Sequence, residues 1–442
     1  VVPLVAAAAL TVAAGTVALL GTDVDFFHAL GPGLAASVII AGLVATTFVP
    51  ALVAMLGRAA FWPSLGRAVL SAPAGAPAAV SSSPSLRRQF ASLLTRRAVA
   101  AVAVLVCLAG LAAAGTGLLR IRLGSDLLSQ LPASSGPRST AIAAETGFTG
   151  GIVAPTALIL QAPGIGSGSD AAAVARLQGV IEASPGVAAA IGPAQLPAGT
   201  SLPVFTSAGG EAVRIMVLFS SDPYDGPAIT AFTSLQARVQ AALPDQGLGG
   251  ASASWSGGTP AAADAVAGST DDLWRVAILA GGLMALVLIL YFRAILAPLL
   301  LILCSAAALA APLGLLVYVF QGLVGAPDIT FFVPLAGGVL LVSLGADYSV
   351  FVMGGIWEEM RAASLSEAVA MALPRASRAV SIAAFTLAAS FAVLAVVPVA
   401  PFQELAFMMA VGVLIDAFVV RTFLLPGLLV LIGPRVFWPH RR

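Results

Sequence analysis

Eight stretches of this chain are too long and too apolar to be housed anywhere but in a bilayer. They run roughly over residues 2–21, 29–56, 98–118, 274–292, 295–320, 330–356, 377–397 and 404–432. About 20 apolar residues in helical form cross the hydrocarbon layer. A backbone in lipid must close its own hydrogen bonds, which selects helix for runs of this length. With 59% hydrophobic and only 9% charged residues, the chain lies outside the range of soluble domains. The expected fold class is an α-helical polytopic membrane protein of about eight transmembrane helices.

The sixth stretch holds one charge, Asp347, in the run LLVSLGADYSVF. An ionisable residue at membrane depth is costly, faces the bundle interior, and characteristically carries ions or protons. Removing a carboxyl from water favours its neutral form, which lets it exchange a proton near neutral pH. Tyr348 follows at once, and Ser343 lies one turn earlier, within hydrogen-bonding reach of Asp347. Gly345 lets a neighbouring helix come close. The alternative is a buried aspartate that only locks helix packing.

The last stretch holds a second charged pair, Asp416 and Arg421. Arg421 falls near the middle of its helix and needs a partner. Five residues set the two side chains about 140° apart around an α-helix, so they are expected to face different neighbours. They either join a polar chain with Asp347 or form an ion pair that ties the last two helices together. Thr386 and Ser390, on the neighbouring helix, extend such a chain or bond their own backbone carbonyls.

Arginine placement sets the orientation. Residues 57–97 carry Arg58, Arg67, Arg87, Arg88, Arg96 and Arg97 with no acid, and so are expected in the cytoplasm. Their Pro/Ser/Ala-rich middle, 71–84, reads as a flexible linker. Arg293, Arg361, Arg375, Arg378, Arg435, Arg441 and Arg442 fall on the same side, whereas the opposite short loops carry Asp23, Asp25 and Asp328. Residues 119–272, with six Arg and eleven acids, are then external. The expected division is two helices in 1–56, a cytoplasmic linker 57–97, a helix at 98–118 and the external domain 119–272. A five-helix bundle at 273–432 and a cytoplasmic tail at 433–442 complete it. The location is the inner (plasma) membrane.

Within 119–272, strands are expected at 152–161, 186–191, 212–219 and 251–255, and helices at 169–183 and 227–243. A third helix starts at Thr259 and leads into the membrane. That β-α-β-β-α-β order predicts an α+β, ferredoxin-like unit. Between the sixth and seventh membrane helices, Glu358 and Glu359 read as a solvated helix end. A short interfacial helix is expected over 365–373, ending at Pro374.

Several activities are excluded by composition. All 21 basic residues are arginine, so the lysine of a phosphate-binding P-loop is missing. A net charge of +1 gives no sign of nucleic-acid binding. His28 and His440 are the only histidines, and Cys107 and Cys304 lie in membrane helices as packing residues. The external domain therefore lacks the parts of a nucleophilic triad or a His/Cys zinc site. Gly164 to Gly168 resembles a dinucleotide loop, but Ser169 stands where the third small residue belongs, so it reads as a turn. No enzyme, cofactor or metal site is expected.

The chain also repeats itself. Residues 26–63 and 402–439 align without a gap, matching at Phe26/Phe402, Thr46/Thr422, Pro50/Pro426, Leu52/Leu428 and Gly57/Gly433, and through a final Phe-Trp-Pro. Transporters are often built from such repeats. The offset implies four further helices and a second external domain ahead of Val1, which does not read as the start of a signal peptide.

The stretch GADYSVFVMGGIWEEM resembles the Gly-x-Asp-Tyr signature in the tenth helix of MMPL-type transporters, within the resistance-nodulation-division superfamily. FQELAFMMAVGVLIDAFVVRTFLLPGLLVLIGPRVFWP is similar to the last helix of that family, and its earlier copy to the sixth. Tyr291-Phe292-Arg293 and the phrases SDLLSQLP and GGTPAAADA fit as well. The resemblance implies a proton-driven exporter of lipids or other hydrophobic molecules with a porter-type external domain. It implies a proton relay of Asp347 and Tyr348 facing a matching pair on the fourth family helix, supported by Ser343, Asp416 and Arg421. Its implied partners are a hydrophobic substrate, protons and the membrane. Efflux of small drugs, and a non-transporting role in secretion or lipid sensing, remain open alternatives.

Overall fold

The structure is a computed structural model that describes residues 2–23, 25–57, 93–125, 134–166, 168–196, 202–360 and 363–439. Most of 57–97, including the stretch 71–84, lies outside the described residues, as does SDLLSQLP apart from Ser125. Helices α1 (Val2–Val17) and α2 (Asp25–Thr46) form the first pair, and α3 (Phe48–Leu56) continues α2 past a break at Thr47. Next come α4 (Arg97–Gly115), β1 (Leu123–Gly124), α5 (Gly136–Gly147), β2 (Thr156–Gln161), α6 (Gly168–Glu182) and β3 (Val187–Ile191). They are followed by β4 (Ala212–Phe219), α7 (Gly226–Asp245) and β5 (Ser252–Ser256). The chain returns to the bundle through α8 (Gly258–Phe292) and α9 (Leu296–Val317). It closes with β6 (Ile329–Thr330), α10 (Val333–Glu359), α11 (Leu365–Val393), α12 (Ala400–Ile415) and α13 (Leu425–Ile432).

Among the described residues, eight helical stretches are long and apolar enough to cross a membrane, one for each stretch expected from the sequence. The protein is an α-helical, multi-pass membrane protein. Helix α8 has 35 residues, a length of about 52 Å, against a hydrocarbon layer of about 30 Å. It therefore reaches from the bundle to the four-stranded sheet as one continuous rod.

That sheet has the order β3-β4-β2-β5 with every neighbouring pair antiparallel. Alternation in β2 buries Thr156, Leu158 and Leu160 on one face. These pack with Ile215 and Val217 of β4 against Leu177 and Ile181 of α6 and Phe232 and Leu235 of α7. The strand expected from residue 152 begins only at Thr156. Residues Gly150–Val153 form a tight turn instead, in which Gly151 lies against the backbone of Phe219. Pro155 then has no N–H to give to a ladder.

Helix α10 is the hub of the bundle, packed on α1, α8, α9, α11 and α12. Small residues allow this crowding. A Cβ added to Gly15 of α1 would fall on the Ser343 hydroxyl, and one on Gly412 of α12 would lie 2.6 Å from Leu341. Helices α4 and α9 also cross closely. A Cβ on Gly314 would fall on the carbonyl oxygen of Ala114, so the two backbones touch directly. Such contacts hold helices together where lipid removes the hydrophobic drive.

One expectation about the later helices is corrected. The helix starting at Leu365 does not end at Pro374 but runs through it to Val393. Proline forfeits one backbone hydrogen bond, yet the following segment is in lipid and must be helical regardless. Its start is set by a capping box, with Glu367 accepting from the Ser364 N–H at 3.0 Å and the Ser364 hydroxyl at 2.8 Å. The repeat is visible in the backbone: Gly57 and Gly433 both turn the chain with positive φ, +50° and +73°.

Two outcomes follow. Gly314→Leu is expected to separate α4 from α9 and destabilise the protein by at least the ~3 kcal/mol of severe overpacking, read as a lowered detergent-unfolding midpoint. The two Ser364 hydrogen bonds hold the Glu367 carboxyl below its ordinary range. The cap is therefore whole above that range and is lost as pH falls through the depressed value. Hydrogen-exchange protection at the start of α11, taken relative to the intrinsic rate at each pH, should fall on acidification in the native protein and stay constant in Glu367→Gln.

Candidate functional site

Pro426 shapes the site before any charge is considered. It offers no N–H to the helix, and its ring crowds the carbonyl of Thr422 four residues back. The turns ahead of it are widened into a π-helix over Asp416–Leu424. The Thr422 hydroxyl accordingly bonds the carbonyl five residues back, that of Ala417, at 3.0 Å. In this register residues i and i+5 follow one another along the helix.

Arg421 therefore folds onto Asp416. Its Nε and Nη2 donate to Asp416 Oδ2 at 2.8 and 2.5 Å. The 140° separation of a regular α-helix does not apply, and the two charges answer each other. Both are buried, with 2% of Arg421 and 7% of Asp416 exposed. Arg421 Nη2 also donates to the carbonyl of Gly345, which accepts in addition from the Ser349 hydroxyl at 3.1 Å. The guanidinium carbon lies 5.3 Å from the centroid of the Tyr348 ring, a cation–π distance. One side chain thus ties the last membrane span to α10 at two residues, Gly345 and Tyr348.

Asp347 lies on α10 between those two contact points; its side chain is outside the described part of the structure. Ser343 is buried against Gly15 of α1, and its hydroxyl has no hydrogen-bond partner among the described residues. The expected bond from Ser343 to Asp347 falls on a side chain outside the described residues. At Gly345 a Cβ would meet Ser305 Oγ at 3.4 Å, an ordinary contact. The carbonyl of Gly345 is a second contribution to the site. Asp416 Oδ1 and Arg421 Nη1 are buried without partners among the described residues. A cavity of about 10 Å³ is lined by Ser305, Ala308, Leu309, Leu341, Gly412 and Asp416, which is the size of one water molecule.

Thr386 is exposed and bonds its own helix, at the carbonyl of Ile382, 2.9 Å away. Of the two roles open to it, the local one is observed. Glu404 is a buried acid that no sequence motif marks. It is 3% exposed and accepts the Thr330 N–H at 3.0 Å. The one signal that could have found it is its place as an acid heading the apolar stretch 404–432. Among the described residues no group of three His, Cys, Asp or Glu side chains could hold a metal ion.

Removing one partner of a buried pair costs about 3–5 kcal/mol, because the other charge is left stranded. Asp416→Ala is expected to lose that much in detergent-unfolding stability. Combining Asp416→Leu with Arg421→Met should recover most of it. Equal stability of Asp416→Ala and the native protein would show that the pair holds nothing.

The MMPL family model matches residues 1–76 and 138–442. A membrane protein of Streptomyces coelicolor is 32% identical over 445 aligned residues, covering 99% of this chain and 58% of the relative. The apo-petrobactin exporter of Bacillus anthracis is 30% identical over 51% of this chain and 31% of its own. The sulfolipid-1 exporter MmpL8 of Mycobacterium tuberculosis is 29% identical over 53% of this chain and 21% of its own. The chain spans about half the length of the curated relatives it matches end to end. With the match covering seven of the eight membrane stretches and the whole four-stranded sheet, this chain belongs to the MMPL family.

Proposed function

We propose that this chain is part of an exporter that moves lipids or other hydrophobic molecules out of the inner membrane, driven by protons that Asp347 takes up and gives back. The observation that carries the reading is the attachment of Arg421 to Gly345 and Tyr348, the residues that bracket Asp347, on the helix at the centre of the bundle. The energy of a buried charge depends on the charges around it. In this reading, ionising Asp347 puts a charge on α10 between the two points where Arg421 is attached, and protonating it takes that charge away. Loading the proton thereby changes how firmly α10 is held to the last span.

One charge moving through 100 mV supplies about 2.3 kcal/mol, so a few protons per cycle suffice for drawing a lipid from a bilayer. In this reading the Arg-rich segment 57–97 and the C-terminus face the cytoplasm, and the sheet lies outside. The strand order and the two helices of the α+β unit support a ferredoxin-like porter module. Exporter names among the relatives support the direction of transport. The petrobactin relative favours a second reading, in which the cargo is a small molecule.

The test is release of labelled lipid from cells making the full-length protein, with native and Asp347→Asn forms at matched membrane levels. Loss of release in the variant, reproduced in the native form by collapsing the proton gradient, is expected. Unchanged release would make Asp347 a packing residue. Retained lipid in both forms alongside lost small-molecule efflux in the variant would move the cargo to the second reading.

A further inference from the structure

Four consecutive residues ahead of α10 are fastened between them to four other elements of the molecule, β1, α7, α8 and α12. Asp328 accepts, through Oδ2, the N–H of Gly226 in the first turn of α7, at 2.8 Å. The N–H of Ile329 donates to the Arg122 carbonyl at 2.8 Å, and that of Phe331 to the Gly124 carbonyl at 3.0 Å, on either side of the parallel β1–β6 pairing. Between them, the N–H of Thr330 donates to Glu404 Oε2 on α12 at 3.0 Å. The Phe331 carbonyl accepts from the Ser269 hydroxyl of α8 at 3.1 Å. Ile329 and Thr330 are fully buried.

There is no slack in this seat. A Cβ on Gly124 would fall on the Asp328 carboxylate, and one on Gly226 would lie 3.1 Å from Asp328 Cβ and 3.2 Å from Arg122 Cβ. Helix α7, whose first turn rests on Asp328, buries Phe232, Leu235 and Val239 in the core beneath the sheet. A push on its N-terminus is thus transmitted to the whole α+β unit. On the other side, β6 is followed within three residues by α10. Val333 and Asp347 are separated by about 21 Å of one helix. A shift of α10 at Asp347 therefore arrives at β6 undiminished.

We propose that β6 is the joint through which α10 and the α+β unit move together, and that Asp328 and Glu404 are the positioning residues that fix it. Asp328 grips the α+β unit and Glu404 grips the bundle, so the strand is held from both sides. Each presents a carboxyl oxygen to a buried backbone N–H that would otherwise be left without a partner. A loop buried only to fill space has no need of anchors on four separate elements. The inference rests on the reading of Asp347 as the proton-coupling residue.

The experiment uses the full-length protein at matched membrane levels and reads labelled-lipid release together with gradient-driven proton uptake. Asp328→Ala and Glu404→Ala are each expected to reduce release by about tenfold or more, the scale of one buried N–H left unsatisfied, while proton uptake persists. Asp328→Asn and Glu404→Gln, which keep an acceptor oxygen, are expected to retain most of the release. Release unaffected by the alanine variants overturns the proposal, and so does its loss together with proton uptake, which marks a merely structural role. Asp347→Asn in parallel separates the two layers. If it keeps both activities, the proton reading fails. The joint then stands only if the alanine variants lose release that Asp328→Asn and Glu404→Gln retain, with hydrogen exchange over α11 unchanged.

Discussion

A guanidinium held in hydrocarbon has to be surrounded before it can be tolerated. Arg421 cannot shed its charge, and its planar fork demands partners in fixed directions. The protein meets that demand with a carboxylate, a backbone carbonyl and an aromatic face, drawn from two helices. None of this is reachable from a regular α-helix. The widened register ahead of Pro426 brings Arg421 over Asp416 and leaves Nη2 pointing across to α10. The arrangement of the bundle centre follows from a proline that carries no charge.

The internal repeat separates the scaffold from the chemistry. Both copies keep the proline, Pro50 and Pro426, and the turning glycine, Gly57 and Gly433. In the first copy Ile40 and Ala45 occupy the places of Asp416 and Arg421, and the helix is broken at Thr47 with no π segment. The proline makes an irregular turn in both, and only where that turn holds two charges does the irregularity become a site. From there the connections run through α10: to α1 at Gly15, to the last span at Gly345, and through β6 to the sheet.

The membrane helices were legible because lipid leaves the backbone a single choice, so length and apolarity decide. The sheet strands were legible from alternation, as in Thr156, Leu158 and Leu160, and misjudged where Pro155 withholds a donor, whereas the two-residue strands β1 and β6 are too short to carry a pattern. The polar site was half legible. Its residues stand out as charges among apolar neighbours, but their partners depend on helical register, and a 100° step per residue is the wrong ruler near Pro426. The packing of Ser343 against Gly15 of α1 is a close approach that no side-chain spacing announces. Glu404 is silent in the sequence because its partner is a backbone N–H, which no side-chain pattern announces. Pro374 reads as a stop, although a helix in lipid cannot use one.

The most direct measurement of the central claim is pH-titrated infrared difference spectroscopy on the full-length protein in membranes. The account predicts a protonated-carboxyl band that appears as pH is lowered through the working range, is absent from Asp347→Asn, and shifts in pH in Arg421→Met. A titrating band that is identical in native and Asp347→Asn protein would contradict it, because the proton would then be carried by another group.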